Sequence, residues 1–154
     1  MPKKPTLADA ELILKLYDLR REAEMRKARN WWFANFWPET ADDFIKVAQA
    51  IGTQENNWLR QVAGYWDLAA SLVVHGVANE TLFLEPAFSG EMFLIFAKIH
   101  PFVKEVRERM QNPRMLANVE TVIKKSKASQ ERLKAVEQRM AARRKQMKEA
   151  AVRT

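Results

Sequence analysis

The sequence has no cysteine, two histidines and four glycines among its 154 residues. The absence of cysteine excludes disulfides, thiolate metal sites and cysteine nucleophiles, and it fits a protein of the reducing cytosol. The glycines stand far apart, which excludes a glycine-rich phosphate loop. No apolar run approaches the roughly 18 residues of a membrane span, and the N-terminal residues lack a signal sequence. We therefore expect a cytoplasmic protein with no transmembrane segment.

Catalytic and metal-binding constellations are also missing. There is no Glu-x-x-His motif, and His75 and His100 lie near helix ends rather than in a ligand cluster. Ser71 and His75 are one helical turn apart, but no orienting acid or oxyanion hole accompanies them. We expect no metal and no cofactor. A non-enzymatic protein is favoured, and an enzyme stays an open alternative.

The segment 54–75 is free of proline, and its apolar residues recur at steps of three and four. This spacing predicts an amphipathic helix with a wide apolar face. Such a helix must be covered by neighbours on most sides. We therefore predict an all-α helical bundle built around this central helix. Its core stripe comprises Leu59, Val62, Trp66, Ala69 and Val73.

A narrow polar edge runs along the same helix. Two interpretations of this edge stay open. It is either a strip exposed to solvent, or the wall of a polar groove in which Gly64 admits a neighbouring backbone or a ligand. The candidate groove residues are Arg60, Asp67, Ser71 and His75.

Positive charge is concentrated at the C-terminus. Residues 124–154 hold 11 basic and 3 acidic residues, a net charge of +8, whereas residues 1–123 have a net charge of −1. We predict two parts: a helical bundle domain (1–123) and a basic C-terminal helical extension (124–154). The long basic helix carries a sparse apolar seam at Leu133, Val136, Met140, Met147 and Ala151. This seam could pack on the bundle, pair with another chain or stay detached.

Several local signals predict element boundaries. Three threonines, Thr6, Thr40 and Thr53, are typical N-caps, and Pro101 predicts a break near residues 99–100. We interpret the charged run 20–29 as a solvated extension of the first helix and residues 85–90 as a connector. The pair Asn112-Pro113 predicts the start of a helix that runs to about Lys124. The aromatic run 31–37 is expected to plug one end of the bundle.

Four consecutive segments together resemble a known family. They are RQVAGYWDLAASLVVHG at 60–76, an acidic short segment at 79–85, an apolar-aromatic helix at 92–102 and KEVRERMQNPRMLANVE at 104–120. This signature is similar to that of the domain of unknown function family 4760, over about residues 55–123. The resemblance implies an uncharacterised bacterial helical protein and no functional residues. Many members carry a membrane segment before the domain, whereas this chain offers an amphipathic helix and an aromatic cluster.

Two functions follow as hypotheses. The first is a protein that acts through protein–protein contacts or self-association, with the long C-terminal helix as the interaction element. The alternative is weak, sequence-independent binding of nucleic acid or an anionic membrane surface by the basic tail. The candidate anion-binding residues of that tail are Lys124, Lys125, Lys127, Arg132, Arg139, Arg143, Arg144 and Lys145.

Overall fold

The structure is a computed structural model that describes residues 2–154. Every regular element in this range is helical, which confirms the all-α prediction. None of these helices combines the length and the apolarity that crossing a membrane requires. The helices are α1 (Leu7–Leu19), α2 (Ala23–Ala34), α3 (Ala41–Gln49), α4 (Gln54–Val74), α5 (Glu80–Phe83), α6 (Pro86–Ile99), α7 (Val103–Arg109), α8 (Ala117–Lys124) and α9 (Lys127–Val152).

Helix α4 is the central element, as the sequence predicts. Its predicted core residues are buried, and Trp66 and Ala69 have no exposed surface. Helices α2, α3 and α8 pack around it. The Tyr65 hydroxyl of α4 donates a hydrogen bond to the carbonyl of Leu16 on α1.

The predicted threonine caps are all present. The hydroxyls of Thr6, Thr40 and Thr53 each accept a hydrogen bond from a backbone N–H three residues later. At the first two caps an aspartate completes a capping box by accepting from the threonine backbone N–H. Backbone donors hold the pKa of Asp9 and that of Asp43 below their ordinary value. The start of each of these three helices is therefore determined by local sequence alone.

The charged run 20–29 is not an extension of α1, so that prediction is wrong. The first helix ends at Leu19, and the Glu22 carboxylate accepts from two backbone N–H groups to cap a separate helix, α2. Arg20 turns inward and is only 4% exposed. The chain breaks here because Arg20 reaches a buried carboxylate, Glu91, on α6.

The aromatic run packs into the core between α2, α3 and α4. Trp31 stacks on Phe36 with ring centroids 4.5 Å apart, and Trp58 of α4 lies 6.2 Å from Trp31. Trp32 is fully buried. Large aromatic rings that pack in offset and edge-to-face geometry contribute much of the buried area of a small core.

Of the two boundaries predicted around α6, one is wrong and the other is confirmed. Residues 85–90 are not a connector, because Pro86 occupies the first helical turn of α6 and Phe88 and Ser89 are buried. Proline is well suited to that position, since its missing N–H would have no partner in the first turn. The break predicted at Pro101 is confirmed: α6 ends at Ile99, and the 3₁₀ turn His100–Phe102 leads into α7.

The C-terminal helix packs on the bundle. Leu133, Val136 and Met140 of its seam are buried, each at most 5% exposed, and α9 lies against α6 and α8. Further along, Arg144 donates to the carbonyl of Pro38, and Lys148 pairs with Glu39. The first of the three alternatives for the seam therefore holds through most of α9, and only the residues after Lys148 extend beyond the bundle.

Candidate functional site

The polar edge of α4 contains a structural residue, Asp67, that caps another helix. Its carboxylate accepts from the backbone N–H groups of Asn118 (3.0 Å) and Val119 (3.3 Å) and from the Asn118 side-chain amide (3.0 Å). These donors belong to the first turn of α8, which has no capping side chain of its own. The prediction that Asn112-Pro113 starts this helix is wrong. The helix starts at Ala117, where Asp67 supplies the acceptor.

The connection between α7 and α8 has a strained backbone at two residues. Gln111 and Leu116 both have a φ of 52°, in the left-handed region that favours glycine. At Gln111 the N–H groups of residues 111 and 112 bond to the carbonyls of Glu108 (3.2 Å) and Arg107 (2.9 Å), which is a Schellman ending. These bends fold residues 110–116 back toward α4.

This folded connection, α3 and α4 enclose an open groove of about 510 Å³, which we call the α4 groove. The volume lies within the range of small-molecule sites, roughly 300–1,000 Å³. Its wall is mostly apolar, and three charged side chains, those of Arg60, Asp67 and Arg114, border it. The apolar lining comprises Phe44, Ala48, Leu59, Ala63, Met110, Met115 and Leu116.

Gly64 lies in the middle of α4 and lines this groove. A glycine inside a helix costs about 1 kcal/mol relative to alanine. The backbone there is helical, and no atom lies within 4 Å of the place where a Cβ would stand. No neighbouring backbone approaches Gly64, contrary to one half of our groove interpretation. What Gly64 provides is open space in the groove.

The four candidate groove residues do not form one site. Arg60 and Asp67 line the groove, whereas Ser71 and His75 do not. The Ser71 hydroxyl donates to the carbonyl of Leu68 in its own helix, at 2.5 Å. His75 is the C-cap of α4 and is exposed. Only the first half of the polar edge therefore belongs to the groove.

Five groove residues on the connection between α7 and α8 escaped sequence reasoning. The sequence predicts that this stretch is helical or starts a helix, and its two left-handed residues bring it opposite α4. The five are Met110, Asn112, Arg114, Met115 and Leu116. The available signal was the sequence QNPR, since Asn-Pro favours a turn as well as a helix start.

A buried ionic cluster joins four helices through the carboxylate of Glu91, whose side chain is 4% exposed. One oxygen accepts from Arg29 Nε at 2.6 Å and the other from Trp66 Nε1 at 2.9 Å. The Arg20 guanidinium is 3.9 Å away and also donates to the carbonyl of Phe88 at 3.2 Å. With these contacts satisfied, the cluster is a structural brace of the bundle.

Lys98 is buried without an acidic partner. Its ammonium nitrogen donates to the carbonyls of Trp32 and Phe36, the latter at 2.8 Å, and lies 4.0 Å from the ring centre of Trp37. Burial, with a smaller contribution from the nearby charge of Arg144, lowers the pKa of Lys98 from 10.5 to about 7. The side chain closes the C-terminal end of α2, whose carbonyls lack helical partners.

Five of the eight candidate anion-binding residues of the basic tail already form ion pairs or hydrogen bonds within the chain. Lys124 pairs with Glu120, Lys125 with Glu80, and Lys127 with Glu131. Arg132 donates to the carbonyl of Leu84 and to the hydroxyl of Ser89, both at 2.9 Å. Arg144 bonds to Pro38. Of the eight candidate residues, those without an ion pair or a side-chain hydrogen bond to any of residues 2–154 are Arg139, Arg143 and Lys145.

Helix α1 has a second apolar face that points away from the bundle. Ile13 and Leu16 are buried, but Leu7 and Leu14 are 77% and 68% exposed, and Tyr17 is 48% exposed. With Ala10 these outward residues are spaced three and four apart, which is the spacing of a coiled-coil seam. We call residues 7, 10, 14 and 17 the outer seam of α1.

No three histidine, aspartate or glutamate side chains among residues 2–154 come together as metal ligands. His100 Nδ1 and Glu137 Oε1 are 2.5 Å apart, and this contact ties α9 to the turn before α7. It has no neighbouring nucleophile, so the α4 groove and the outer seam are the candidate functional surfaces.

The sequence matches a known protein family. A family model described as Domain of unknown function (DUF4760) matches residues 5–126. The chain belongs to this family. The match confirms the resemblance predicted for about residues 55–123 and extends it to α1, α2 and α3. The DUF4760 region contains the α4 groove and the outer seam but none of α9. No curated protein and no solved structure matches the chain.

Proposed function

We propose that this protein is a cytoplasmic, non-enzymatic helical protein that acts through protein–protein contacts, first of all with a second copy of itself through the outer seam of α1. The observation that carries the proposal is the exposure of Leu7 and Leu14 on a helix whose opposite face is already buried. A helix that is apolar on two sides is normally covered on both.

Exposed apolar side chains are concentrated on two elements. In the described part of the chain, seven of the nine large, exposed apolar residues lie on α1 or on the second half of α4 and the turn after it. Contiguous exposed apolar surface marks interaction sites more often than single exposed residues do. They are Leu7, Leu14, Tyr17, Leu19, Leu68, Val74 and Val77.

The spacing of the outer seam favours a second copy in an antiparallel arrangement. A two-fold axis between residues 10 and 11 would set Leu7 of one copy against Leu14 of the other. The seam of α9 supports self-association less, because the bundle of the same chain covers it.

Sedimentation velocity over a range of protein concentrations tests this proposal. We expect the wild-type protein to form a dimer and Leu14→Glu to be monomeric with an unchanged free energy of unfolding, since Leu14 is 68% exposed. Ile51→Glu is the matched control, because Ile51 is 82% exposed but lies in the turn before α4. A strictly monomeric wild type, or a dimer that tolerates Leu14→Glu, would contradict the proposal.

A second candidate function is weak, sequence-independent binding of an anionic polymer or surface by the tail. Arg139 and Arg143, one turn apart and exposed, favour it. Fluorescence anisotropy with a random DNA duplex and with anionic vesicles, at low and at high salt, tests both sources of the anion. We expect Arg139→Gln with Arg143→Gln to weaken binding at low salt. Lys124→Gln with Lys125→Gln, at residues already paired, is the control, and an equal effect of both pairs would contradict the role of these arginines.

A further inference from the structure

We propose that the α4 groove binds a small amphiphile that carries a carboxylate on a short, flexible apolar chain. The carboxylate would lie between Arg60 and Arg114, and the chain would lie along the apolar wall. This site is independent of self-association, because no residue of α1 lines the groove.

The charges at the groove favour an anion. The guanidinium groups of Arg60 and Arg114 form no ion pair or hydrogen bond with any residue from 2 to 154, although both border the same groove. The third charged group, Asp67, is already engaged, because both of its oxygens accept hydrogen bonds from α8. Arginine binds carboxylates with two parallel hydrogen bonds, which suits a head group between the two side chains.

The wall favours a flexible apolar chain. Two methionines, Met110 and Met115, face α4 across the groove, and Phe44, Leu59 and Leu116 are buried around it. Methionine side chains are unbranched and adapt to the shape of what they contact. Because the groove is open and mostly apolar, it can bury a chain that has several conformations, while the arginines orient its polar end.

The exposed backbone at Gly64 leaves room for such a ligand in the groove. No atom lies within 4 Å of the place where a Cβ would stand, so a helical alanine would fit there. A side chain at this position would therefore improve the helix and obstruct the site at the same time.

Octanoate is a suitable probe, with octanol, octylammonium and acetate as comparisons that lack the charge, reverse it or lack the chain. Methyl NMR of the full chain labelled at methionine reports binding at Met110 and Met115 directly. We expect saturable shifts of these two methyl signals with octanoate, and weaker binding by about tenfold or more for the three comparison molecules.

Substitutions separate the roles of the groove residues. Gly64→Leu is expected to weaken octanoate binding by about tenfold or more while the thermal midpoint is maintained or raised. Gly90→Ala is the matched control, since Gly90 is also a helical glycine with room for a Cβ but lies in α6. Arg60→Gln and Arg114→Gln should each weaken octanoate binding and leave octanol binding unchanged.

Each result decides the proposal. No saturable shift at Met110 and Met115, or equal octanoate binding by Gly64→Leu and wild type, overturns the site. Equal binding of octanoate and octanol overturns the anionic head group and leaves only an apolar contact. Selective loss of octanoate binding in both arginine variants, with Gly90→Ala unaffected, supports the site and the ligand class together.

Discussion

Asp67 belongs to α4 and caps the N-terminus of α8. Its carboxylate accepts three N–H groups at the start of α8, which no local side chain caps. A partly buried group that loses its hydrogen-bond acceptor costs about 1–3 kcal/mol, and more where the acceptor is charged. Asp67 therefore has a structural role as the cap of α8, and it also borders the α4 groove.

We expect Asp67→Ala to lower the free energy of unfolding by about 1–3 kcal/mol, because three donors lose their acceptor. Asp67→Asn should lower it less, since an amide oxygen can still accept from the backbone of α8. Urea denaturation measures both. Ser71→Ala is the control on the same edge and should stay within about 0.5 kcal/mol of wild type. An Asp67→Ala variant as stable as Ser71→Ala would show that α8 does not need this cap.

Lys98 should make stability depend on pH. Its pKa is about 7 in the folded chain and 10.5 as an ordinary lysine. Between these values the unfolded chain binds a proton that the folded chain does not, so the free energy of unfolding rises with pH, by up to about 1.4 kcal/mol per pH unit. Below pH 7 both states are protonated, the contribution is flat, and the fold bears the cost of burying an ammonium group.

Lys98→Met removes this group while keeping an apolar side chain of similar length. Urea denaturation of both proteins at pH 6, 7.5 and 9 isolates its effect, because other titrating groups cancel in the difference. We expect wild type to gain more stability relative to Lys98→Met between pH 7.5 and pH 9 than between pH 6 and pH 7.5. Parallel pH profiles would contradict a lowered pKa at Lys98.

At the scale of helices, α4 and α7 end in the same way with different residues. Both endings are Schellman motifs, with Gly76 at a φ of 73° after α4 and Gln111 at a φ of 52° after α7. Glycine adopts this conformation without steric cost, whereas glutamine does not. The ending of α7 is therefore strained where that of α4 is not.

Gln111→Gly should raise the free energy of unfolding by about 0.5–1 kcal/mol, because it relieves the left-handed residue. Gly76→Ala should lower it by a similar amount for the converse reason. The side chain of Gln111 is exposed, so the substitution removes no packing. Thermal and urea denaturation of the two variants measure the pair. A loss of stability in Gln111→Gly would mean that Gln111 contributes a contact that outweighs its strain.

Sequence reasoning succeeds where the cause is local. Thr53 and its hydrogen-bond partner are three residues apart, and the stripe of α4 repeats within each turn, so both could be predicted. It fails where the partner is distant. Arg20 ends α1 because of a carboxylate on α6, and α8 starts at Ala117 because of a side chain on α4. Five of the twelve groove residues lie on that misassigned connection, so of the groove only the wall formed by α4 could be predicted.

For the whole molecule, the role of α9 decides whether residues 124–154 are a separate part. A chain that ends at Lys124 loses the burial of Leu133, Val136 and Met140, worth about 1.5–3 kcal/mol each. We expect this truncation to lower the free energy of unfolding severely. A chain that ends at Lys148 loses only exposed residues and should match wild type. If the shorter chain were as stable as wild type, residues 124–154 would be an independent extension.

The contacts of the Glu91 carboxylate couple the opening of four helices of the bundle. The carboxylate contacts Arg20 after α1, Arg29 on α2 and Trp66 on α4 from its own place on α6. None of these helices can leave the others without breaking an ion pair or a hydrogen bond of this buried carboxylate. The four should therefore exchange their slowest amide hydrogens together, in one cooperative opening, as native-state hydrogen exchange can measure. In Glu91→Gln that common rate should separate into several, with α1 exchanging first.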